Sequence, residues 1–168
     1  MIHFNNEINL YVNIALINMQ EEKMIRVLFI CHGNICRSVM AEYIFKDMIN
    51  KKNLTYEFII DSKAVSNEEI GNDIYPLAKR CLDKYHVPYS RHYASRITKE
   101  DYNNYDYIFV MDNSNLYRIN QIVDDNEHKV SLLLKDKVIS DPWYSGEFDK
   151  TYHEIKEGLE LFIEELGL

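Results

Sequence analysis

A chain of 168 residues, 46% hydrophobic and 27% charged, is long enough to bury one substantial core and too apolar to be disordered throughout. Its formal net charge of −8 argues against a nucleic-acid or anionic-membrane partner, either of which needs a basic face. The three cysteines, Cys31, Cys36 and Cys81, form neither a disulfide framework nor a zinc spacing, so a reducing, cytoplasmic setting is expected; no stretch reaches the roughly 20 apolar residues of a spanning helix.

Residues 1–23 stand apart. The run 8–17 is apolar but holds two asparagines, and the segment before it carries Glu7 and no Lys or Arg, a poor fit to a signal peptide. Two readings stand side by side. One is a weakly ordered extension packed loosely on the domain. The other is a mis-assigned start upstream of Met24, where purine-rich codons for Gln20-Glu21-Glu22-Lys23 would supply a ribosome-binding site. On either reading one domain runs from 24 to 168.

That domain opens with Ile25-Arg26-Val27-Leu28-Phe29-Ile30, which reads as a buried strand. Met40, Ala41, Ile44, Phe45, Met48 and Ile49 then recur at helical spacing and predict an amphipathic helix from Arg37 to Asn50. Further on, 56–61 reads as a second strand, 62–72 as a polar loop, and 75–85 as a helix entered through Pro76. A short strand or extended piece is expected at 93–96, a strong strand at 106–111, and a helix at 112–123 with Asp112 as cap candidate. A short strand or buried stretch at 130–134 precedes a C-terminal helix marked by Tyr152, Ile155, Leu159, Phe162, Ile163 and Leu166. Strands alternating with helices imply an α/β fold, a doubly wound parallel sheet with helices on both faces. Such sheets bind ligands beyond the carboxyl ends of their strands.

The chemistry sits at the first of those ends. Cys31-His32-Gly33-Asn34-Ile35-Cys36-Arg37-Ser38 places a cysteine and an arginine, with five residues between them, between a strand and a helix. A loop closing on a helix N-terminus turns backbone N–H groups inward and adds the positive end of the helix dipole, a cradle for a dianionic phosphate. Arg37 adds a planar fork for two phosphate oxygens, and the same positive field favours the thiolate of Cys31. Breaking a phosphate ester also needs an acid for the departing oxygen. The candidate is Asp141, in Ser140-Asp141-Pro142-Trp143-Tyr144-Ser145-Gly146, where Pro142 stiffens the turn, Gly146 lets it reverse, and two aromatics can wall a pocket for a flat substrate.

The segment Val27 to Phe45, VLFICHGNICRSVMAEYIF, resembles the signature of the low-molecular-weight (acid) protein tyrosine phosphatases. The resemblance continues through Ser62 to Asn72, Ile97 to Asp101, Tyr105 to Leu116 (YDYIFVMDNSNL) and Asp141 to Tyr152. It implies a four-stranded sheet of flavodoxin-like order 2-1-3-4. It also implies Cys31 as nucleophile, Arg37 as phosphate clamp and Asp141 as general acid. His32, Gly33, Asn34, Ile35, Cys36, Arg37 and Ser38 would form the phosphate-binding loop. Asn34, Ser38, Ser62 and His92 match the polar network that holds its shape, with Ser38 donating to the thiolate. No metal or other cofactor is implied. The implied partners are phosphotyrosine-containing proteins, with a tyrosine kinase and its substrates the natural candidates, and the chain is expected to be a monomer or at most a weak dimer. A curled loop can bring Cys36 to Cys31, and with the resemblance this marks Cys36 as a redox partner that traps an oxidised Cys31 as a disulfide.

The sequence departs from the family pattern at several places. Val39 stands where the family usually has Pro. Lys63 replaces a small residue after Ser62 and would add positive charge near the cradle. Glu68 lies where relatives often carry an aromatic, so one pocket wall would be acidic and the other formed by Trp143 and Tyr144. Ser95-Arg96 leaves the register after His92 open. His32 is expected to face outward, Asp112 and Asn115 to cap a helix and brace the loop, and Cys81 to be a buried apolar residue. Three rivals remain. A protein arginine phosphatase of the same fold typically has Thr where Ile35 stands. A thiol-coupled arsenate reductase needs two further downstream cysteines where only Cys81 exists. A non-hydrolytic phosphocarrier would need neither Arg37 nor Asp141.

Overall fold

The apolar run at the start of the domain becomes β1 (Ile25–Cys31), an inner strand of the computed structural model, which describes residues 24–168. The extension or mis-assigned start expected for residues 1–23 lies outside the described residues. β1 pairs in parallel with β2 (Phe58–Ala64) on one side and β3 (Tyr107–Val110) on the other, and β3 pairs in parallel with β4 (Val130–Leu132). The order is therefore β2-β1-β3-β4, as the resemblance implied. Side chains alternate across a strand, so an inner strand feeds two cores. Val27, Phe29 and Cys31 enter one, Leu28 and Ile30 the other.

Among the described residues six α-helices cover the sheet: α1 (Arg37–Lys51), α2 (Pro76–Lys84), α3 (Lys99–Asn104), α4 (Asn113–Ile119), α5 (Pro142–Ser145) and α6 (Phe148–Glu165). α1, α2 and α6 pack on the first face, where the Phe45 ring lies 5.9 Å from Phe29, 5.5 Å from Phe58 and 5.7 Å from Phe162. Tyr102 of α3 and Ile119 of α4 close the second face against Leu28, Ile30, Ile108 and Val110. No helix among the described residues is long and apolar enough to cross a membrane.

Several elements depart from expectation, each for a local reason. Tyr56 and Glu57 belong to a 3-10 turn, and β2 runs later, through Ser62 and Lys63, because Ala64 is the register partner of Cys31. Residues 93–96 make no strand: Arg96 forms a single bridge to Ala64, and the Ser95 carbonyl accepts from the Ala64 N–H at 2.7 Å. α3, which periodicity did not reveal, is held by a capping box in which Thr98 and Asp101 exchange hydrogen bonds. α4 stops at Ile119 and not at 123, and α6 starts at Phe148, ahead of Tyr152. The Asp141-Pro142 turn winds into α5 and is closed by Gly146 in the left-handed region, φ 73°.

Gly158, inside α6, is set by packing. A Cβ there would lie 2.7 Å from Leu133 Cγ and 3.0 Å from the Leu133 carbonyl oxygen. Gly158→Ala gains up to about 1 kcal/mol of helix propensity but forces α6 off the strand end, a strain of about 1–3 kcal/mol. The expected net result is a lower denaturation midpoint at unchanged m-value.

Candidate active site

Cys31 is the last residue of β1, and the loop 32–36 returns directly into α1. Asn34 shapes that loop. It is fully buried and takes φ 60°, a left-handed conformation that Asn tolerates better than most residues. Its N–H donates to Cys31 Sγ at 3.3 Å. Its side-chain Nδ2 donates to Ser38 Oγ at 3.0 Å and Ser62 Oγ at 2.8 Å, while Oδ1 accepts from the Ser95 N–H at 3.1 Å. His92 Nε2 lies 2.9 Å from Asn34 O and 3.0 Å from Asn34 Oδ1; both are acceptors, so Nε2 carries the proton. Burial lowers the His92 pKa and favours the neutral ring, against the pull of Glu42. Ser38 Oγ already accepts from Asn34, so its hydrogen is free for Cys31 Sγ, 3.0 Å away. That is the sense a thiolate requires.

Arg37, the first residue of α1, is 3% exposed. Its Nη1 donates to Asp112 Oδ2 at 2.6 Å and the Ile139 carbonyl at 3.3 Å, and its Nη2 donates to Asp141 Oδ2 at 2.7 Å. Burial alone would lower the Arg37 pKa; Cys31, the hydrogen bond to Asp112 and the charges of Asp141 and Asp112 outweigh it and hold the guanidinium above its ordinary range. Each carboxylate divides its oxygens. Asp112 Oδ1 caps α4 through the Asn115 N–H at 2.7 Å, and Asp141 Oδ1 caps α5 through the Trp143 N–H at 3.1 Å. The connections leaving β1, β3 and β4 thus converge on one guanidinium, at the point where the strand order reverses.

Cys31, Arg37, Asp112 and Asp141 line a cleft of about 430 Å³ together with His32, Gly33, Ile35, Cys36, Glu68, Trp143 and Tyr144. His32 is turned to the rim, where its Nε2 meets Glu68 Oε2 at 2.9 Å. Gly33 keeps the opposite contact open: a Cβ there would press to 3.0 Å on Glu69 Cγ. Trp143 is half-exposed with its ring 5.0 Å from that of Tyr75, and Tyr144 is exposed. Asn34, Ser38, Ser62 and His92 do not line the cleft: Asn34 and Ser38 reach the Cys31 sulfur from behind it, and Ser62 and His92 act through Asn34. Lys63, expected to add charge near the cradle, does not: strand alternation turns it to the other sheet face, 3.8 Å from Asp101. Burial, then the charges of Cys31 and Asp141, push the Cys36 thiol well above its ordinary pKa, so Cys36 stays protonated. Cys81 is buried beneath the start of α6, its pKa pushed to about 11 by burial first and Asp149 second.

Several residues of this site escape sequence reasoning. Glu42, 5% exposed, accepts from Ser62 Oγ at 2.6 Å and ends the network that starts at Cys31. One signal was available, a carboxylate one helical turn beyond Ser38 in a stretch otherwise buried. Asp112 does more than cap its helix, and Glu69, Ser114 and Arg118 join the cleft wall without a local signature. Among the described residues no group of three or more His, Cys, Asp or Glu side chains is arranged to hold a metal ion. The arrangement suits a cysteine nucleophile facing an anion, with a carboxylic acid on the far side of the same arginine.

Comparison with known proteins gives the same direction. Residues 26–167 match the family model described as low molecular weight phosphotyrosine protein phosphatase. A low molecular weight phosphotyrosine protein phosphatase of Sus scrofa is 36% identical over an alignment covering 88% of this chain and 99% of that relative. Among solved structures, that of YfkJ from Bacillus subtilis superposes with a TM-score of 0.81 at 31% identity, covering 86% of this chain and 96% of that one. The low molecular weight protein tyrosine phosphatase from Streptococcus pyogenes gives 0.75 at 32% identity, covering 85% and 93%.

Proposed function

We propose, for a chain that belongs to the low molecular weight phosphotyrosine protein phosphatase family, hydrolysis of protein phosphotyrosine through a cysteinyl-phosphate on Cys31. The observation that carries this reading is the pairing of Ser38 Oγ, 3.0 Å from Cys31 Sγ, with an Arg37 fork shared by Asp112 and Asp141. The substrate dianion takes Nη2 from Asp141 and settles on the loop N–H groups. Asp141, released from Arg37, takes up a proton from water. Cys31 Sγ then attacks phosphorus in line: the S–P bond forms, the P–O bond breaks, and Asp141 gives that proton to the tyrosine oxygen. In the second step the Asp141 carboxylate takes a proton from water, the water oxygen attacks phosphorus, and the S–P bond breaks to return the thiolate. Arg37 and the loop amides stabilise the equatorial oxygens throughout, and this electrostatic share of the barrier is the largest. The site needs no metal for any of these steps. Its natural partners are a tyrosine kinase and that kinase's substrates.

The test is turnover of para-nitrophenyl phosphate and of a phosphotyrosine peptide in the presence of a chelator. Release of phosphate from both supports the reading. Phosphate bound stoichiometrically without release points to a carrier, and release from phosphoarginine alone points to the arginine branch.

Cys36 gives this site a second chemistry. Peroxide oxidises the Cys31 thiolate to a sulfenic acid; the Cys36 sulfur attacks that sulfur, displacing water, and the S–S bond forms. The high Cys36 pKa slows the second step. Loss of the Cys31 negative charge on oxidation removes the second-ranked cause of that high value, leaving burial as the main one. Dithiothreitol is expected to restore wild type after peroxide and to leave Cys36→Ser largely inactive. Equal recovery assigns Cys36 to packing.

A further inference from the structure

We infer that Glu42, a buried carboxylate the mechanism above leaves unused, is a positioning residue that fixes the direction of the hydrogen bond from Ser38 to Cys31. The inference rests on the reading of Cys31 as nucleophile. The chain of contacts is Glu42 Oε2 to Ser62 Oγ, 2.6 Å; Ser62 Oγ to Asn34 Nδ2, 2.8 Å; Asn34 Nδ2 to Ser38 Oγ, 3.0 Å; and Ser38 Oγ to Cys31 Sγ, 3.0 Å. A hydroxyl can point its single hydrogen either way, so two serines in series admit opposite arrangements. In one, Ser38 donates to sulfur and supports a thiolate. In the other, Ser38 donates back toward Asn34 and its lone pair faces sulfur, which supports only the thiol.

The two ends of the chain decide between them. Glu42, ion-paired through Oε1 with Lys46 Nζ, offers Ser62 an oxygen that accepts and does not donate, so Ser62 must give it a hydrogen and must receive one from Asn34. The Asn34 amide can supply it only with Nδ2 toward the serines. The Ser95 N–H and the His92 Nε2–H, both donors on Oδ1, prevent the amide from turning over. Ser38 then has a single outlet for its hydrogen, the sulfur. Lys46 Nζ, 2.5 Å from Glu42 Oε1 and half-exposed, supplies the outer countercharge; the other groups that face Glu42 are Ser62 and the neutral His92 ring. The titratable groups that line the cleft with Cys31 are His32, Cys36, Arg37, Glu68, Glu69, Asp112, Arg118 and Asp141, whereas the side-chain bonds of Glu42 go to Lys46 and Ser62.

This assignment has a signature that a plain charge effect reverses. Removing a negative charge ought by Coulomb's law to make a nearby thiolate easier to form. Removing the acceptor ought to make it harder. The experiment is the pH dependence of Cys31 alkylation by iodoacetamide, followed with the thiolate absorbance near 240 nm, and Cys31→Ser as the blank. It requires no phosphatase turnover. Glu42→Gln keeps an oxygen acceptor without the charge and is expected to leave the alkylation midpoint at the wild-type position. Glu42→Met removes the acceptor at similar volume and is expected to raise the midpoint by about one pH unit, a tenfold loss of thiolate at lower pH. Ser62→Ala is expected to do the same, and the Glu42→Met, Ser62→Ala double variant no more than either single one, since Glu42 acts through Ser62. A midpoint unmoved in Glu42→Met, or lowered in both Glu42 variants, overturns the inference. Should Glu42→Met not fold, Ser62→Ala decides: an unmoved midpoint there overturns it equally. Turnover retained by Cys31→Ser would instead overturn the nucleophile assignment.

Discussion

Cys31→Ser is expected to lower turnover of para-nitrophenyl phosphate by at least about 10⁴-fold while leaving phosphate and vanadate binding in place. The two effects separate because they use different atoms. Binding uses the loop N–H groups, the N-terminus of α1 and the Arg37 fork, none of which the substitution touches. Turnover requires a sulfur that forms and releases a bond to phosphorus. A serine hydroxyl in the same place is far less acidic, and no residue within hydrogen-bond reach of it is a base: its neighbours are Ser38 Oγ and the Asn34 N–H. Arg37→Lys is the companion experiment. A single ammonium cannot serve Asp112, Asp141 and two phosphate oxygens in one plane, so a loss of about 10³-fold is expected, expressed in both binding and rate. Steady-state kinetics and calorimetry with phosphate check both variants. Activity retained by Cys31→Ser would remove the covalent intermediate from the mechanism.

Asp141→Asn is expected to slow esters of poor leaving groups by about 10²–10⁴-fold and esters of good leaving groups far less. The argument is one of need. An alkyl or unactivated phenyl oxygen cannot depart without a proton, whereas para-nitrophenolate can, so only the former loses by deletion of the acid. A general acid acts only while it holds its proton, so the fall in rate on the basic side of the pH–rate profile should vanish in Asp141→Asn. A basic limb that survives the substitution reassigns the acid, with Asp112 the next candidate because it shares the same guanidinium.

The parts of this molecule that were legible in the sequence are those whose cause is local. The run of Val27 to Ile30 is apolar on both faces because β1 is covered on both, and the passage from Cys31 to Ser38 carries its turn and its helix start within itself. β2 shows the opposite case. Its last residues, Ser62 and Lys63, read as loop because they are polar, yet they are strand because β1 extends to Cys31 and supplies partners there. α3 is too short for periodicity to register and is defined by its cap alone. In the site, Cys31, Arg37 and Asp141 could be marked as candidates from motif and resemblance, and the fold brings all three to one cleft. The bonds that join them could not be read this way. Arg37 meets Asp112 and Asp141 across separations of 75 and 104 residues, and Glu42 enters only because β2 brings Ser62 beneath α1. Such contacts follow from sheet order, which no short window of sequence contains.

The sharing of Arg37 between two carboxylates has a consequence for what the protein can tell apart. Asp141 is in effect a tethered anion, present at its guanidinium edge at an effective concentration on the order of millimolar or higher. A free carboxylate metabolite arriving there only exchanges one single charge for another and gains nothing against the tether. A phosphate dianion, free or esterified, brings a second charge and a third oxygen for the loop amides, and so is expected to shift the exchange in its own favour where a carboxylate does not. Whatever loosens Asp141 from Arg37 is expected to tighten oxyanion binding, by at most the same factor. The internal ion pair is therefore expected to set a discrimination threshold against monoanions, which competition by acetate against phosphate would measure.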